Sequence, residues 1–309
     1  MNKIGLVLSG GGAKGAYEVG VVRSLADLGI TIDAISAASI GSLNGAIIAG
    51  SDHLVEASLT LEKVWLTVAD NPPVGLKTLN VMQSLVNLLP ISGDRASVFE
   101  NSTERAYISD FINFNKLRTG IPLYVSVYET ENRFIDIIKF IFQMTHSSTT
   151  IKIQDLPSEK EMINLLLASS ALPFVFKPVS IGGKMYRDGG LGDKAKEWGN
   201  TPIKPLLNYD IIIVVHLSDG SLWSRHDFTN PAIVEIRPQK NIRRGQLDVL
   251  GFNKTKIQSW IEQGYEDAQL ILGKIIRQFG KIEEVRSSFI ELDRDIKKLN
   301  NDGFNISDR

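Results

Sequence analysis

Apolar positions along the first fifty residues fall into four successive segments of alternating rhythm. Lys3–Leu8 carries an unbroken apolar run, which predicts a strand buried on both faces. Ala16, Val19, Val22, Leu25 and Leu28 then recur at helical spacing, which predicts a helix over Ala13–Leu28 that Gly29 closes. Ile32–Ser36 predicts a second strand, and Ile40–Ala49 a second helix. The order β-α-β-α predicts a central sheet that is mostly parallel, with right-handed crossovers.

Farther on the pattern loosens. Ser51 to Arg118 reads as helical, broken at Pro72-Pro73, and Val74–Leu89 is unusually apolar. Leu123–Tyr128 and Arg133–Lys139 predict a hairpin around a polar turn. Ser158 and Glu161 form an S-x-x-E capping box that opens a helix over Glu159–Ser170, ended by Pro173. Phe174–Ile181 and Lys184–Arg187 flank Gly182-Gly183, a two-residue hairpin turn. Asp210–Leu217 predicts another buried strand, and Asn253–Phe279 and Lys281–Leu299 predict two amphipathic helices before a polar end.

Composition narrows the class. The chain has 309 residues, 43% of them hydrophobic, with 34 basic and 35 acidic side chains. A near-neutral balance is not that of a nucleic-acid binder. With no cysteine, disulfides, thiolate catalysis and cysteine-based zinc sites are excluded. The N-terminal apolar stretch is shorter than the roughly 7–15 residues of a secretory core, and no stretch approaches the ~20 apolar residues of a membrane span. A cytoplasmic chain is expected.

Gly10, Gly12 and Gly15 spell G-x-G-x-x-G between the first strand and its helix, the fingerprint of a dinucleotide site. Such a site asks for an acid at the end of the second strand. Asp33 instead stands near its start, and the strand runs on into Ala37-Ala38-Ser39-Ile40-Gly41. That pentapeptide is one methyl group from G-x-S-x-G, the elbow that exposes a nucleophilic serine between strand and helix. Ser39 by itself is equally well an ordinary helix N-cap. The glycine cluster shifts the balance, because a nucleophilic serine needs backbone N–H donors aimed at a developing oxyanion. A glycine turn at a helix N-terminus supplies them. Both features fall at the carboxyl end of adjacent parallel strands, where α/β sheets carry their sites. Asp188-Gly189-Gly190 follows a hairpin strand, and offers either a base with little steric cover or a simple turn.

Together these segments resemble the patatin-like phospholipases, serine acyl hydrolases with a Ser-Asp dyad. Ser9–Gly15 (SGGGAKG) resembles the family's oxyanion motif, Ala37–Gly45 (AASIGSLNG) its nucleophile motif, and Asp188–Gly190 its D-G-G. Leu166–Gly190 resembles the approach to that aspartate, and Asn200–Ile203 (NTPI) its usual continuation. Ala37 stands where the family has glycine, and Leu191–Gly199 resembles an insertion.

The resemblance implies a three-layer α/β/α fold with a central, mostly parallel sheet and added C-terminal helices. The resemblance covers roughly residues 3–220; a catalytic domain over 1–250 is expected, with a helical lid or insertion at 51–120 and a helical extension over 251–309 packed on the same domain. It assigns Ser39 as nucleophile and Asp188 as base. Gly10, Gly11, Gly12 and Ile40 form the oxyanion site, and Lys14, Gly15, Ala37, Gly41, Gly189 and Gly190 support the motifs. No metal or cofactor is called for. The substrate is a membrane phospholipid or lysophospholipid, met by peripheral contact, with a regulatory ligand or protein activator as a further expectation.

Several further features stay open. His216 completes the order Ser39, Asp188, His216 of an α/β-hydrolase triad, the rival to the dyad; a lipid-binding regulatory module with a weakened elbow is another. Val74–Leu89 is either an acyl channel or membrane contact, or an ordinary core helix. Lys14 reads as a solvated first-turn residue rather than a phosphate ligand. Arg237, Lys240, Arg243 and Arg244 read as a solvated loop or as an attractor of anionic groups.

Overall fold

The computed structural model describes residues 2–70, 108–130, 147–170, 178–193, 196–218, 222–239 and 253–302. Eight strands among these form one sheet. They are β1 (Ile4–Leu8), β2 (Ala34–Ala38), β3 (Leu123–Glu129), β4 (Thr149–Lys152), β5 (Val179–Ile181), β6 (Lys184–Asp188), β7 (Ile211–Val215) and β8 (Ala232–Ile236). The order is β5-β6-β3-β2-β1-β7-β8, with β4 paired to β3. From β3 through β2, β1 and β7 to β8 every pairing is parallel; β4, β5 and β6 join antiparallel. The mostly parallel sheet with flanking helices is the fold class read from the pattern.

Six helices among the described residues accompany the strands: α1 (Ala16–Asp27), α2 (Ile40–Ala49), α3 (Leu54–Asp70), α4 (Phe114–Thr119), α5 (Glu159–Ser169) and α6 (Lys254–Asp302). Gly45 of α2 faces Ile35, Ala37 and Leu123, so these inward residues of β2 and β3 form the helix-covered side of the sheet. Strand side chains alternate, so Val7, Ala34, Ile212 and Val214 face the other way. There they pack on Ile203, Leu206 and Trp223, in the turns and loops that cover the second side among the described residues.

The structure departs from the sequence pattern at several points. The second strand spans Ala34–Ala38 rather than Ile32–Ser36, because the strand continues until Ser39 turns it. A 3-10 turn, Gly12–Gly15, precedes α1. β4 and β8 escaped the reading. Two amphipathic helices were expected beyond residue 253, and one continuous helix, α6, is found. A glycine in mid-helix costs only about 1 kcal/mol, and the apolar pattern continues across Gly280. The hairpin at Gly182-Gly183 forms as expected, with φ 55° and 82°, the left-handed pair of a tight two-residue turn. Residues 133–139 and 74–89 lie outside the described residues.

The chain divides into two compact units, Met1–Ala268 and Gln269–Arg309. Within the first, α1 and the opening turns of α6 cross with almost no side chain between them. A Cβ on Gly20 would overlap the Ile261 carbonyl oxygen, and one on Gly264 would overlap that of Tyr17. Tyr17 Oη donates to Asp267 Oδ2 at 3.0 Å, and Tyr265 Oη to Asp27 Oδ2 at 3.0 Å, binding the crossing at both levels. Described residues of the second unit continue α6.

Gly20→Ala is therefore expected to destabilise the fold by about 1–3 kcal/mol, the usual cost of overpacking. A lower midpoint in urea at unchanged slope would show it; an unchanged midpoint would contradict the tight crossing.

Candidate active site

β1, β2 and β6 bring three chain segments to one end of the sheet. Leu8 of β1 pairs with Ala37 of β2, Ala38 with Ser126 of β3, and Val127 with Asp188 of β6. The residue after β2, Ser39, and the last residue of β6, Asp188, thus stand on either side of β3's carboxyl half. The glycine turn follows β1 directly.

Ser39 is the whole connection between β2 and α2. Its φ of 53° and ψ of −128° place an L-residue in a region that costs on the order of 1–3 kcal/mol. Its surroundings impose that conformation. A Cβ on Gly41 would lie 2.7 Å from the Leu8 carbonyl oxygen and 2.8 Å from that of Ser9, so only glycine lets α2 start this close to β1. The Ser39 carbonyl accepts from Ser42 N at 2.9 Å and Ser42 Oγ at 2.6 Å. Its amide donates to Ser169 Oγ at 2.9 Å. Ala37 takes the place of a glycine without strain, since its methyl faces the bare Cα of Gly45.

Asp188 is 3% exposed. Burial raises its pKa from 3.8 to about 6, while hydrogen bonds from Ser39 and from Gly190 N pull it back down. Gly190 N donates to Oδ1 at 2.8 Å. The Ser39 hydroxyl lies close enough to lower the Asp188 pKa, while Oδ2 holds no hydrogen bond of full geometry among the described residues. A buried carboxylate with a pKa near 6 beside an elbow serine is the kind of arrangement in which a base can activate a hydroxyl.

The glycine turn lies against this pair. A Cβ on Gly10 would lie 3.0 Å from Ser39 Cβ. Gly12 has φ 58°, which favours glycine. Among the described residues, the amides of Gly11, Gly12 and Ile40 donate to no protein acceptor, and they sit at helix starts where N–H groups are free by construction. Gly10 differs from the other three expected donors: its amide is committed to the Asn200 carbonyl at 3.0 Å. Its place is steric, the backbone passing close to Ser39. Gly15 lets the turn pack on α2 and α3, since a Cβ there would meet Ile40 and Trp65 at 2.7 and 2.9 Å. Gly189 packs on the Ser126 backbone, which a Cβ would approach to 2.7 Å. Lys14 is 8% exposed, so it is buried rather than the solvated residue expected.

Two residues were named only as part of a motif, or not at all. Asn200 clasps Gly10 from both sides: its carbonyl accepts the Gly10 amide and its Nδ2 donates to Gly10 O at 3.2 Å. It also lies against Gly190. Leu191–Gly199, which resembled an insertion, ends in a turn at Glu197 (φ 54°) that delivers Asn200 to the site. Asn44 holds the turn from behind, donating to Gly15 O at 3.0 Å and to Glu18 Oε2 at 2.8 Å, while Trp65 Nε1 donates to its Oδ1 at 3.0 Å. Glu18 is fully buried, and burial holds its carboxyl well above the usual range.

His216 is elsewhere. Leu217 points at Gly11, so the preceding side chain faces the opposite side of the sheet. There His216 Nε2 meets Glu235 Oε2 at 3.1 Å, and the ring lies edge-on to Trp223. Arg237 also binds Glu235, its Nε at 2.9 Å; Lys240, Arg243 and Arg244 lie outside the described residues. The described residues contain no cluster of metal-ligating side chains.

Comparison with known proteins agrees in part of the chain's length. The family model described as Patatin-like phospholipase matches residues 6–206. Lysophospholipase NTE1 of Cryptococcus neoformans is 27% identical over 234 residues, 74% of this chain and 12% of that protein. Patatin-like phospholipase domain-containing protein 7 of Rattus norvegicus is 52% identical over 48 residues, 16% of this chain and 4% of that protein. The chain thus spans about an eighth, or less, of the length of these relatives. Among solved structures, VipD from Legionella pneumophila superposes with a TM-score of 0.45 at 14% identity, covering 88% of this chain and 67% of that one.

The displaced pKa of Asp188 has a consequence for stability. The native state holds an extra proton between the ordinary value of 3.8 and about 6, so stability falls as pH rises through that window and stays lowered above it. Asp188→Asn removes the charge. It is expected to stabilise the protein at pH 8 by on the order of 2–3 kcal/mol relative to its effect below pH 4. Urea unfolding at the two pH values measures the difference; equal effects at both would contradict the buried carboxylate.

Proposed function

The chain belongs to the patatin-like phospholipase family, and from that premise we propose that it is a serine acyl hydrolase acting on the fatty acyl esters of membrane lipids. The observation that carries the reading is Ser39, held at φ 53° beside an aspartate whose pKa burial raises to about 6.

Asp188 takes the proton from Ser39 Oγ as that oxygen attacks the ester carbonyl. The amides of Gly11, Gly12 and Ile40 receive the oxyanion, aided by the positive ends of the helices that start there. The C–O bond to the alcohol breaks, Asp188 returns the proton to the leaving oxygen, and acyl-Ser39 remains. Water, deprotonated by Asp188, then releases the fatty acid and restores Ser39. An ordinary aspartate is far too acidic to serve here, and burial narrows that gap. The remaining barrier falls to the backbone donors.

The relatives named as lysophospholipases point to single-chain lipids as the first substrates to offer. Among the described residues no helix is long and apolar enough to cross a membrane; in this proposal the substrate is met at the bilayer surface or as a monomer. The dyad is favoured over a triad because His216 is engaged with Glu235 on the far side of the sheet.

Release of fatty acid from lysophosphatidylcholine and from phosphatidylcholine vesicles tests this. Wild type is expected to be active, with kcat/KM rising with pH to a plateau about a midpoint near 6, as Asp188 loses its proton. Ser39→Ala and Asp188→Ala should each lose about 10³-fold or more, and His216→Ala should retain activity. Full activity in Asp188→Ala, or its loss in His216→Ala with the fold intact, would overturn the dyad.

A further inference from the structure

We propose that Ser169 is a positioning residue whose hydroxyl stands in for a strand hydrogen bond that the elbow gives up. The inference rests on the hydrolase reading for its effect on turnover, but its geometric core is independent of it.

β2 and β3 pair in parallel with Ile35 opposite Leu123 and Ala37 opposite Val125. Ile35 N donates to the Pro122 carbonyl at 2.8 Å. Parallel ladders repeat every two residues, so the same register carries Ala37 N to the Tyr124 carbonyl and would carry Ser39 N to the Ser126 carbonyl. That last bond is replaced. Ser39 N donates instead to Ser169 Oγ at 2.9 Å, and Ser169 Oγ donates to Ser126 O at 2.8 Å. A hydroxyl has been inserted into the ladder at the step where the strand ends.

The insertion solves a definite problem. The strand ends at Ala38, and a hydroxyl lies between the Ser39 amide and the Ser126 carbonyl. Without that hydroxyl, two buried backbone groups would be left unpaired. The Ser169 hydroxyl has one proton and accepts as well as donates, so it satisfies both and bridges the widened gap. Ser169 is fully buried, at the last position of α5, so no solvent competes for the role. The arrangement also fixes which amides can serve the oxyanion: Ser39 N is occupied and is not among them.

Ser126 couples this bridge to the rest of the site. Its own hydroxyl donates to Gly199 O at 2.8 Å, next to the residue that clasps Gly10, and its backbone packs on Gly189. One strand residue therefore carries the backbone of the nucleophile through Ser169 and supports both the base loop and the glycine turn.

Ser169→Ala and Ser169→Thr test the proposal, with kcat and KM on lysophosphatidylcholine, the rate of Ser39 labelling by a fluorophosphonate, and amide exchange at Ser39. Ser169→Ala is expected to lower kcat by about 10- to 100-fold, the cost of leaving a buried donor unpaired. KM should stay within about twofold and the pH midpoint near 6, labelling should slow in proportion, and exchange at Ser39 should quicken. Ser169→Thr, which keeps the hydroxyl, should restore most of kcat. Wild-type kcat in Ser169→Ala, or a loss that enters KM and the melting temperature alone, would overturn it. So would unchanged Ser39 exchange in Ser169→Ala, whatever the activity and however Ser169→Thr folds. A wild type inert to lipid and fluorophosphonate alike would overturn the hydrolase reading, and the exchange result would still decide on Ser169.

Discussion

The single-residue turn at Ser39 is the constraint on which the rest of the site depends. A strand that must become a helix within one residue, hard against its neighbour, leaves no conformation but a left-handed one. At φ 53° the chain leaves the strand direction at the strand ends, and the Ser39 hydroxyl lies within reach of Asp188. That posture is unfavourable for serine, so it persists only where the surroundings over-determine it. They do so at each backbone atom. The carbonyl is held by Ser42, the amide by Ser169, and the start of α2 by the contact of Gly41 with the end of β1.

A second tension is electrostatic and has the opposite sign for stability and for chemistry. Burying Asp188 costs free energy once it is ionised, and the same burial makes it a stronger base. The fold limits that cost without cancelling it. One amide, Gly190 N, supports Oδ1, and Oδ2 holds no hydrogen bond of full geometry among the described residues. A second full hydrogen bond at Oδ2 would stabilise the carboxylate and lower its pKa, moving it back toward an ordinary, ineffective aspartate. The glycine turn shows the same economy: Gly10's amide is tied to Asn200 to fix the turn, while its neighbours remain available.

What could be read from the sequence divides along a physical line. Gly41, Gly12 and Gly15 were legible because each answers a local steric demand that a residue type announces by itself. So did the fold class, since buried parallel strands and amphipathic helices have distinct periods. Ser169, Ser126 and Asn200 were not legible in role, although the segments that carry them were noticed. A serine in an apolar helix end or in a strand gives no local signal; its function comes from the register between β2 and β3, and from where α5 ends. Lys14 was misread as solvated because its burial depends on what packs over the turn. The continuous α6 was misread at Gly280, where a weak helix former was given more authority than its cost of about 1 kcal/mol warrants.

Ala37 shows why motif spelling and physical requirement part company. The first glycine of a nucleophile elbow is there to let strand and helix approach, which is a demand on the volume between two backbones rather than on one residue. Here a methyl group occupies the strand side, and the helix side is empty: an ideal Cβ on Gly45 would stand 3.6 Å from the Ala37 Cβ, in ordinary contact, and tighter against Leu123 and Ile35. The glycine requirement has moved across the interface from β2 to α2. At Gly41 no such transfer is open, because the atoms opposite it are the carbonyl oxygens of Leu8 and Ser9, and every residue type carries those. The pattern A-x-S-x-G is thus the elbow with its one exchangeable position exchanged, while the position that faces backbone is kept.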